Sequence, residues 1–235
     1  MNGVAIIPAR GGSKRISRKN LMEIGGVPML SRPIKTALAV PGVDVVIVST
    51  DDDEIAGLSA RLGAQVPGRR PSRLSSDDTP TAPVVSYELG RHRIDNGEPD
   101  FVIVMYPTSI FITEHDLQQM ITRLNTVENP VEMVMTATSY PAPIERAWKL
   151  SDAGLGVAVD PASRSRQSQE FSESFYDVGQ AYISRSDSWD RVVNGQELPT
   201  ALHVLPPWRA WDINTYDDFR IAEALLSYTE RETPV

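Results

Sequence analysis

The sequence predicts an α/β fold in three layers, with helices on both faces of a mostly parallel, mixed sheet. Three observations carry that expectation. Short β-branched or apolar runs alternate along the chain with segments of helical periodicity. The first of those runs empties into a glycine-containing loop, as the opening strand of an open α/β sheet does. The chain has 235 residues, 41% hydrophobic and 23% charged, enough for one well-formed core. Residues 1–235 are therefore read as one domain.

Val4 to Ile7 is an unbroken apolar run and reads as a buried strand. Pro28 to Ala39 spaces Leu30, Ile34 and Leu38 by four residues, which fits one helix face with Pro33 near the first turn. Val43 to Val48 is β-branched and forms a second strand. Thr50 and Asp53 resemble a capping pair before a helix marked by Ile55, Leu58 and Leu62 and ended by Gly63. Phe101 to Met105 is a third strand, Glu114 to Leu124 a helix with Thr113 as N-cap, and Met133 to Ala137 a fourth strand. From about Ser139 to Tyr182 the pattern changes. Prolines at 141, 143 and 161 and short alternations predict hairpins or a small inserted lobe without long helices. Helical patterning resumes at Tyr216, where Phe219, Ala222 and Leu226 share a face, and frays into a polar tail over Glu230 to Val235.

Charge distribution points to chemistry. Arg10, Lys14, Arg15, Arg18 and Lys19 crowd the loop after the first strand in a chain of formal net charge -8. Such crowding is tolerated most easily where a polyanion neutralises it. Gly11 and Gly12 leave backbone N–H groups free and supply unusual dihedrals, so the loop reads as a phosphate site. A solvated basic loop is the competing reading; the position after the opening strand favours phosphate. Neither G-x-x-x-x-G-K-[ST] nor G-x-G-x-x-G is present, which removes P-loop and dinucleotide-binding readings. The absence of cysteine excludes disulfides, thiolate nucleophiles and cysteine-based metal sites.

Near the other end, Asp212 and Asn214 stand at i and i+2 on either side of Ile213. On an extended segment their oxygens point to one side, a geometry that can hold Mg²⁺ or Mn²⁺. Capping of the helix that begins near Tyr216 is the alternative. His92, His115 and His203 are scattered without ligand spacing and read as structural or exposed. The N-terminus lacks a secretory pattern, no run approaches the roughly 20 apolar residues of a membrane span, and the acidic balance argues against nucleic acid. A cytoplasmic protein with neither membrane nor nucleic-acid partner is expected.

Pro8-Ala9-Arg10-Gly11-Gly12-Ser13-Lys14-Arg15, followed by Arg18-Lys19-Asn20, resembles the signature loop of the CMP-sialic acid synthetase family, CTP-dependent cytidylyltransferases of nine-carbon 2-keto sugar acids. Further landmarks follow in the family's order: Val48 to Asp52, Arg70-Pro71, Leu74-Ser75, Asp78-Thr79, Pro107-Thr108-Ser109, Arg166-Gln167, Asp177 to Gln180 and Asp212 to Thr215. The likeness runs from Val4 to about Leu226. Tyr106-Pro107 and the Asp177 to Gln180 run are most similar to the pseudaminic acid cytidylyltransferase branch.

The resemblance implies a Rossmann-like nucleotidyltransferase fold, with residues 139–182 lining the sugar pocket and contributing to a homodimer interface. It implies CTP and a nine-carbon sugar acid as substrates, with Mg²⁺ or Mn²⁺ held by Asp212 and Asn214. Arg10, Lys19 and Asp212 would carry catalysis. Ala9, Gly11, Ser13, Asn20, Arg70, Thr79 and Thr81 join Arg10 and Lys19 around the nucleotide. Tyr106, Thr108, Ser109, Arg166, Gln167, Asp177 and Gln180 would meet the sugar acid, where a guanidinium fork suits a carboxylate. Arg164 competes with Arg166 for that role. Two departures stand out: the family's Asp-x-Asp is Asp212-x-Asn214 here, and Tyr106 replaces a Gln or acid. They keep open a non-catalytic nucleotide- or sugar-binding relative, and a transferase with another acceptor remains a third reading.

Overall fold

Apolar, β-branched runs build a six-stranded central sheet in the computed structural model, which describes residues 1–128 and 130–232. In chain order the elements are β1 (Gly3–Pro8), β2 (Glu23–Ile24), β3 (Val27–Pro28), α1 (Ser31–Ala39), β4 (Val43–Ser49), α2 (Asp53–Arg61), α3 (Thr81–Asn96), β5 (Phe101–Met105), α4 (Glu114–Leu124), β6 (Met133–Ser139), β7 (Trp148–Leu150), β8 (Gly156–Ala158), β9 (Phe175–Ser184), α5 (Ser188–Val193), β10 (Thr200–Val204) and α6 (Tyr216–Glu232). The strand order is β10-β6-β9-β5-β1-β4. β1 runs parallel to β4 and β5, and β10 parallel to β6, while β9 is antiparallel to both its neighbours. This is the mostly parallel, mixed sheet that the alternating pattern predicts.

β1 and β5 are apolar without alternation because both faces of the sheet are covered. Ala5 and Ile7 pack with Leu30 just before α1, Ile34 of α1 and Leu117 of α4 on one face. Val4 and Ile6 pack with Val85 and Leu89 of α3 and Trp189 of α5 on the other. A third cluster joins Ile16 in the basic loop to Ile24, Met29, Ile213, Ala222 and Leu226. That cluster matters for function, because it ties the loop after β1 to the segment before α6.

Several local expectations are corrected. α1 starts at Ser31 because Val27–Pro28 is taken up in a hairpin with β2, turned by Gly25 and Gly26 at positive φ. Leu38 faces solvent, and Ala37 completes the buried face. Asp52, not Thr50, caps α2: its carboxylate accepts from the Glu54 and Ile55 amides, each at 3.0 Å. For α4 the expected Thr113 cap is present as a reciprocal box with Asp116. Residues 175–182, expected in the lobe, belong to β9 in the central sheet. The residues between β6 and β9 hold only the β7–β8 hairpin and short 3-10 turns. α6 extends through Glu232, so the expected frayed tail is helical at its start, and residues 233–235 lie outside the described residues. Among the described residues no helix is long and apolar enough to cross a membrane.

Candidate functional site

A cleft of about 600 Å³ opens beyond Pro8, the last residue of β1, and beyond Tyr106, which follows β5. The ends of parallel strands are where open α/β sheets bind ligands. Arg10, Lys14, Arg15, Lys19 and Arg70 line it against two carboxylates, Asp77 and Asp212. The local charge is thus positive in an acidic protein, which suits a polyanion.

The loop is braced from behind. The Gly11 amide donates to Asp51 Oδ1 at 2.8 Å, and a Cβ at Gly11 would sit 2.6 Å from an Asp52 carboxylate oxygen. Gly11 is therefore required by close approach; neither it nor Gly12 has positive φ, and the Gly11 N–H is engaged rather than free, contrary to expectation. The left-handed position falls instead on Arg18, at φ 53°. Its guanidinium turns to Asp52 and Glu54 at the start of α2, so Arg18 serves as a strut while the other four loop cations line the cleft. The buried Asn20 side chain donates to the Arg10 carbonyl at 2.9 Å. Arg10 and Lys14 both pair with Asp77, a partner that sequence reasoning misses although the Asp77-Asp78 step is its visible trace.

Lys19 Nζ donates to the Ile213 carbonyl at 2.7 Å, bringing the first loop against the Asp212 segment. Burial lowers the Lys19 pKa and Asp212 partly opposes this, while Arg15 and Arg10 push the same way as burial. Arg15 donates to Asn214 Oδ1 at 2.6 Å, and Asn214 Nδ2 donates to Asp212 Oδ2 at 2.5 Å. Neither Asp212 nor Asn214 caps α6. Thr215 and Asp218 do so: Asp218 N donates to Thr215 Oγ1 at 3.2 Å, and the Asp218 carboxylate accepts the Asn214 and Thr215 amides.

No group of three or more His, Cys, Asp or Glu side chains arranged for a metal occurs among the described residues. One carboxylate beside an amide nonetheless fits Mg²⁺ or Mn²⁺, because such ions commonly take one or two protein carboxylates and complete their shell with water and phosphate oxygens. The histidines are engaged elsewhere, as expected: His203 meets Asp116 at 3.1 Å, His92 lies against Asn96, and His115 against Gln119.

Ser13, Asn20, Thr79, Thr81, Tyr106 and Thr108 line the cleft, whereas Ala9 is buried beneath it with its amide on the Ser49 carbonyl. Tyr106 shares a 2.6 Å hydrogen bond with Thr81 Oγ1 and stands edge-on to Tyr182; burial raises its pKa and keeps the phenol neutral. Arg70 is buried at the back wall, donating to the Ser49 carbonyl at 3.1 Å, and Ser49 Oγ donates to the buried Glu88 at 2.7 Å. Asp177 accepts from the Tyr182 hydroxyl at 2.6 Å and lines a second cavity of about 420 Å³ that shares Gly179 and Asp212 with the cleft. Four expected sugar contacts do not reach the cleft of this chain. Ser109 and Gln180 are fully buried and bonded internally. Arg166 pairs with Glu170 and covers the Phe171 ring out on the lobe, with Gln167 beside it.

Three comparisons bear on this arrangement. The family model described as Cytidylyltransferase matches residues 4–161. Two Campylobacter jejuni proteins named pseudaminic acid cytidylyltransferase are 31% and 29% identical to this chain over 225 residues, covering 96% of each chain. A solved structure of CMP:2-keto-3-deoxy-manno-octonic acid synthetase complexed with CTP shares the fold, with a TM-score of 0.68 at 18% identity over 97% of this chain and 100% of that one.

Proposed function

The chain belongs to the cytidylyltransferase family, and from that premise we propose that it joins CMP from CTP to a nine-carbon 2-keto-3-deoxy sugar acid, pseudaminic acid first among the candidates, releasing pyrophosphate. The single observation that carries the reading is the bond from Lys19 to the Ile213 carbonyl. Through it, the cationic loop and Asp212 share one cleft with room for a nucleotide.

In the reaction, the anomeric oxygen of the acid attacks the α-phosphorus of CTP. The bond from that phosphorus to the bridging oxygen breaks, pyrophosphate departs with the electron pair, and the hydroxyl proton passes to solvent water. Negative charge grows on the phosphate oxygens and the leaving group, so fixed cations supply most of the acceleration. Arg10, Lys14, Arg15 and Lys19 hold the triphosphate; Arg70, Thr79 and Thr81 hold the nucleoside end. Asp212, with Asn214 beside it, would hold a divalent cation that adds Lewis-acid stabilisation of the phosphoryl oxygens. Tyr106, kept neutral by burial, offers a hydroxyl and a ring face to the sugar, and Asp177 in the adjoining cavity accepts from its hydroxyl or N-acyl groups.

The hairpin of β7 and β8 supports a homodimer. A two-stranded hairpin is marginal by itself, and its Trp148, Leu150 and Val157 are exposed here. A second copy of the chain covers them in this reading, and the sugar-acid roles of Arg166 and Gln167 depend on it, since neither lines its own cleft. The consumption of CTP puts the reaction in the cytoplasm.

The test is pyrophosphate release from CTP and Mg²⁺ with pseudaminic, legionaminic and sialic acids in turn. Release with pseudaminic acid at the highest kcat/KM is expected. Silence across the panel from a folded protein that binds CTP would leave only a binding role or a different acceptor.

A further inference from the structure

The Asp177 to Gln180 run does not aim its glutamine at the cleft. β9 pairs Asp177 with Ala137 and Tyr182 with Met135, so residues 178–181 stand opposite the single residue Thr136. Gly179, at φ 61°, turns this bulge. The Thr136 hydroxyl repairs it by accepting the Ala181 amide at 3.1 Å and donating to the Ala181 carbonyl at 3.2 Å. Bulges beside active sites re-aim side chains. Here the result is a fully buried Gln180 beneath the segment between β10 and α6.

That segment, residues 205–215, contains neither helix nor strand, yet it carries Asp212. Leu205 still bonds to β6, its amide on the Ala137 carbonyl at 2.8 Å, but past it the backbone has no ladder or helix to hold it in register. Gln180 Nε2 donates to the Arg209 carbonyl at 2.9 Å and to the Trp211 carbonyl at 3.3 Å. The opposite amide orientation would set Oε1 against both carbonyls, so the donor assignment is fixed by chemistry. The Arg209 side chain adds a second anchor. Its guanidinium donates to the Phe111 carbonyl at 2.8 Å and pairs with buried Asp116, which is itself locked in the capping box of α4. Both anchors fall within three residues of Asp212.

We propose that Gln180 and Arg209 are positioning residues for Asp212: together they strap an irregular segment to the sheet and to α4, so that its carboxylate meets the triphosphate held by Lys19. The proposal rests on the cytidylyl-transfer reading and reassigns Gln180 from sugar contact to support of the opposite wall. Buried Ile213 and the Lys19 bond to its carbonyl hold the chain on the C-terminal side of Asp212; Gln180 and Arg209 hold it on the N-terminal side, and a displacement on the order of 1 Å costs about 10²-fold in rate.

Gln180→Met keeps the volume and removes both donors; Arg209→Lys keeps a charge against Asp116 and loses the fork. Each is combined with Asp212→Ala, with kcat, KM for CTP, melting temperature and the CTP-induced melting shift in EDTA and in Mg²⁺ as readouts. Expected for Gln180→Met is a kcat loss of about 10- to 100-fold, a higher half-saturating Mg²⁺ concentration, and an unchanged CTP shift in EDTA. In the Asp212→Ala background the same change costs less than about twofold more, because residues acting as a unit are non-additive. A loss that multiplies in full with that of Asp212→Ala, or a kcat within about threefold of wild type, overturns the strap while leaving the transfer reading intact. If Gln180→Met does not fold, Arg209→Lys carries the same two outcomes. A wild-type protein that gains no stability from CTP overturns the transfer reading and the strap with it.

Discussion

Replacing Lys19 with methionine removes one charge from the cleft and little volume. Lys19 is half-buried, its Nζ sits on the Ile213 carbonyl, and it faces Asp212 with Arg15 and Arg10 nearby. Loss of a preorganised donor of this kind costs about 2–4 kcal/mol of transition-state stabilisation. At about 1.36 kcal/mol per tenfold, that is a fall in kcat/KM of roughly 30- to 900-fold. Steady-state pyrophosphate release measures it. Folding changes less, because the lost carbonyl bond, worth about 1 kcal/mol, is offset by relief of charge crowding with Arg10 and Arg15. The pH dependence is a second signature. Burial lowers the Lys19 pKa, so in the folded state the cation is lost at a lower pH than for an ordinary lysine. Activity should fall on an alkaline limb placed below the ordinary lysine range, and Lys19→Arg should shift that limb upward. The linkage sign for stability is opposite to that of a paired lysine: the charged form costs folding free energy at neutral pH, and the cost is released as pH rises from the lowered pKa to the unfolded value. A Lys19→Met enzyme within about threefold of wild-type kcat/KM would refute a phosphate role for Lys19.

Two further outcomes follow from the same geometry. Asn214→Asp replaces an amide donor to Asp212 with a second carboxylate 2.5 Å away; the protein should melt lower in EDTA and gain more from added Mg²⁺ or Mn²⁺ than wild type, and equal gains would show that position 214 does not face the cation. Asp116→Ala should destabilise folding by about 3–5 kcal/mol in chemical denaturation, because it strands the Arg209 charge in a largely buried place. Burial alone would raise the Asp116 pKa, but hydrogen bonds from His203, Arg209 and Thr113 outweigh it and hold the carboxyl well below the usual range. Its stabilisation is therefore present above the unfolded carboxylate pKa and drains away as pH falls below it. Acid unfolding of the Asp116→Ala variant should accordingly be shallower below about pH 4 than that of wild type; parallel acid curves would remove Asp116 from this role.

The parts legible in the sequence are those fixed by local physics. β5 and α4 match their expected bounds residue for residue, because an apolar run and a Thr-x-x-Asp box are each complete within a few positions. α3 escapes a periodicity reading because its buried face includes Glu88 and His92, which mask the apolar period. β9 reads as part of the lobe because the bulge at Gly179 breaks its alternation. The basic loop reads as a phosphate site from its charge together with its place after the opening strand, but neither reveals what its glycines do: Gly11 admits Asp52, and Arg18 takes the left-handed turn. The meeting of Lys19 with Ile213 joins residues 194 positions apart, and no local pattern encodes that. Only the family likeness suggests it. Gln180 illustrates the converse, a motif residue visible in the sequence whose partners, Arg209 and Trp211, are supplied by tertiary structure.

Crystallisation with CTP and Mn²⁺ tests the convergence of loop and C-terminal segment most directly. Phosphate oxygens within hydrogen-bond reach of Arg10 and Lys19, with anomalous manganese density bridging those phosphates to the Asp212 carboxylate, are expected. A triphosphate bound outside the cleft, or manganese held away from Asp212 while the phosphates leave Lys19 untouched, would contradict it.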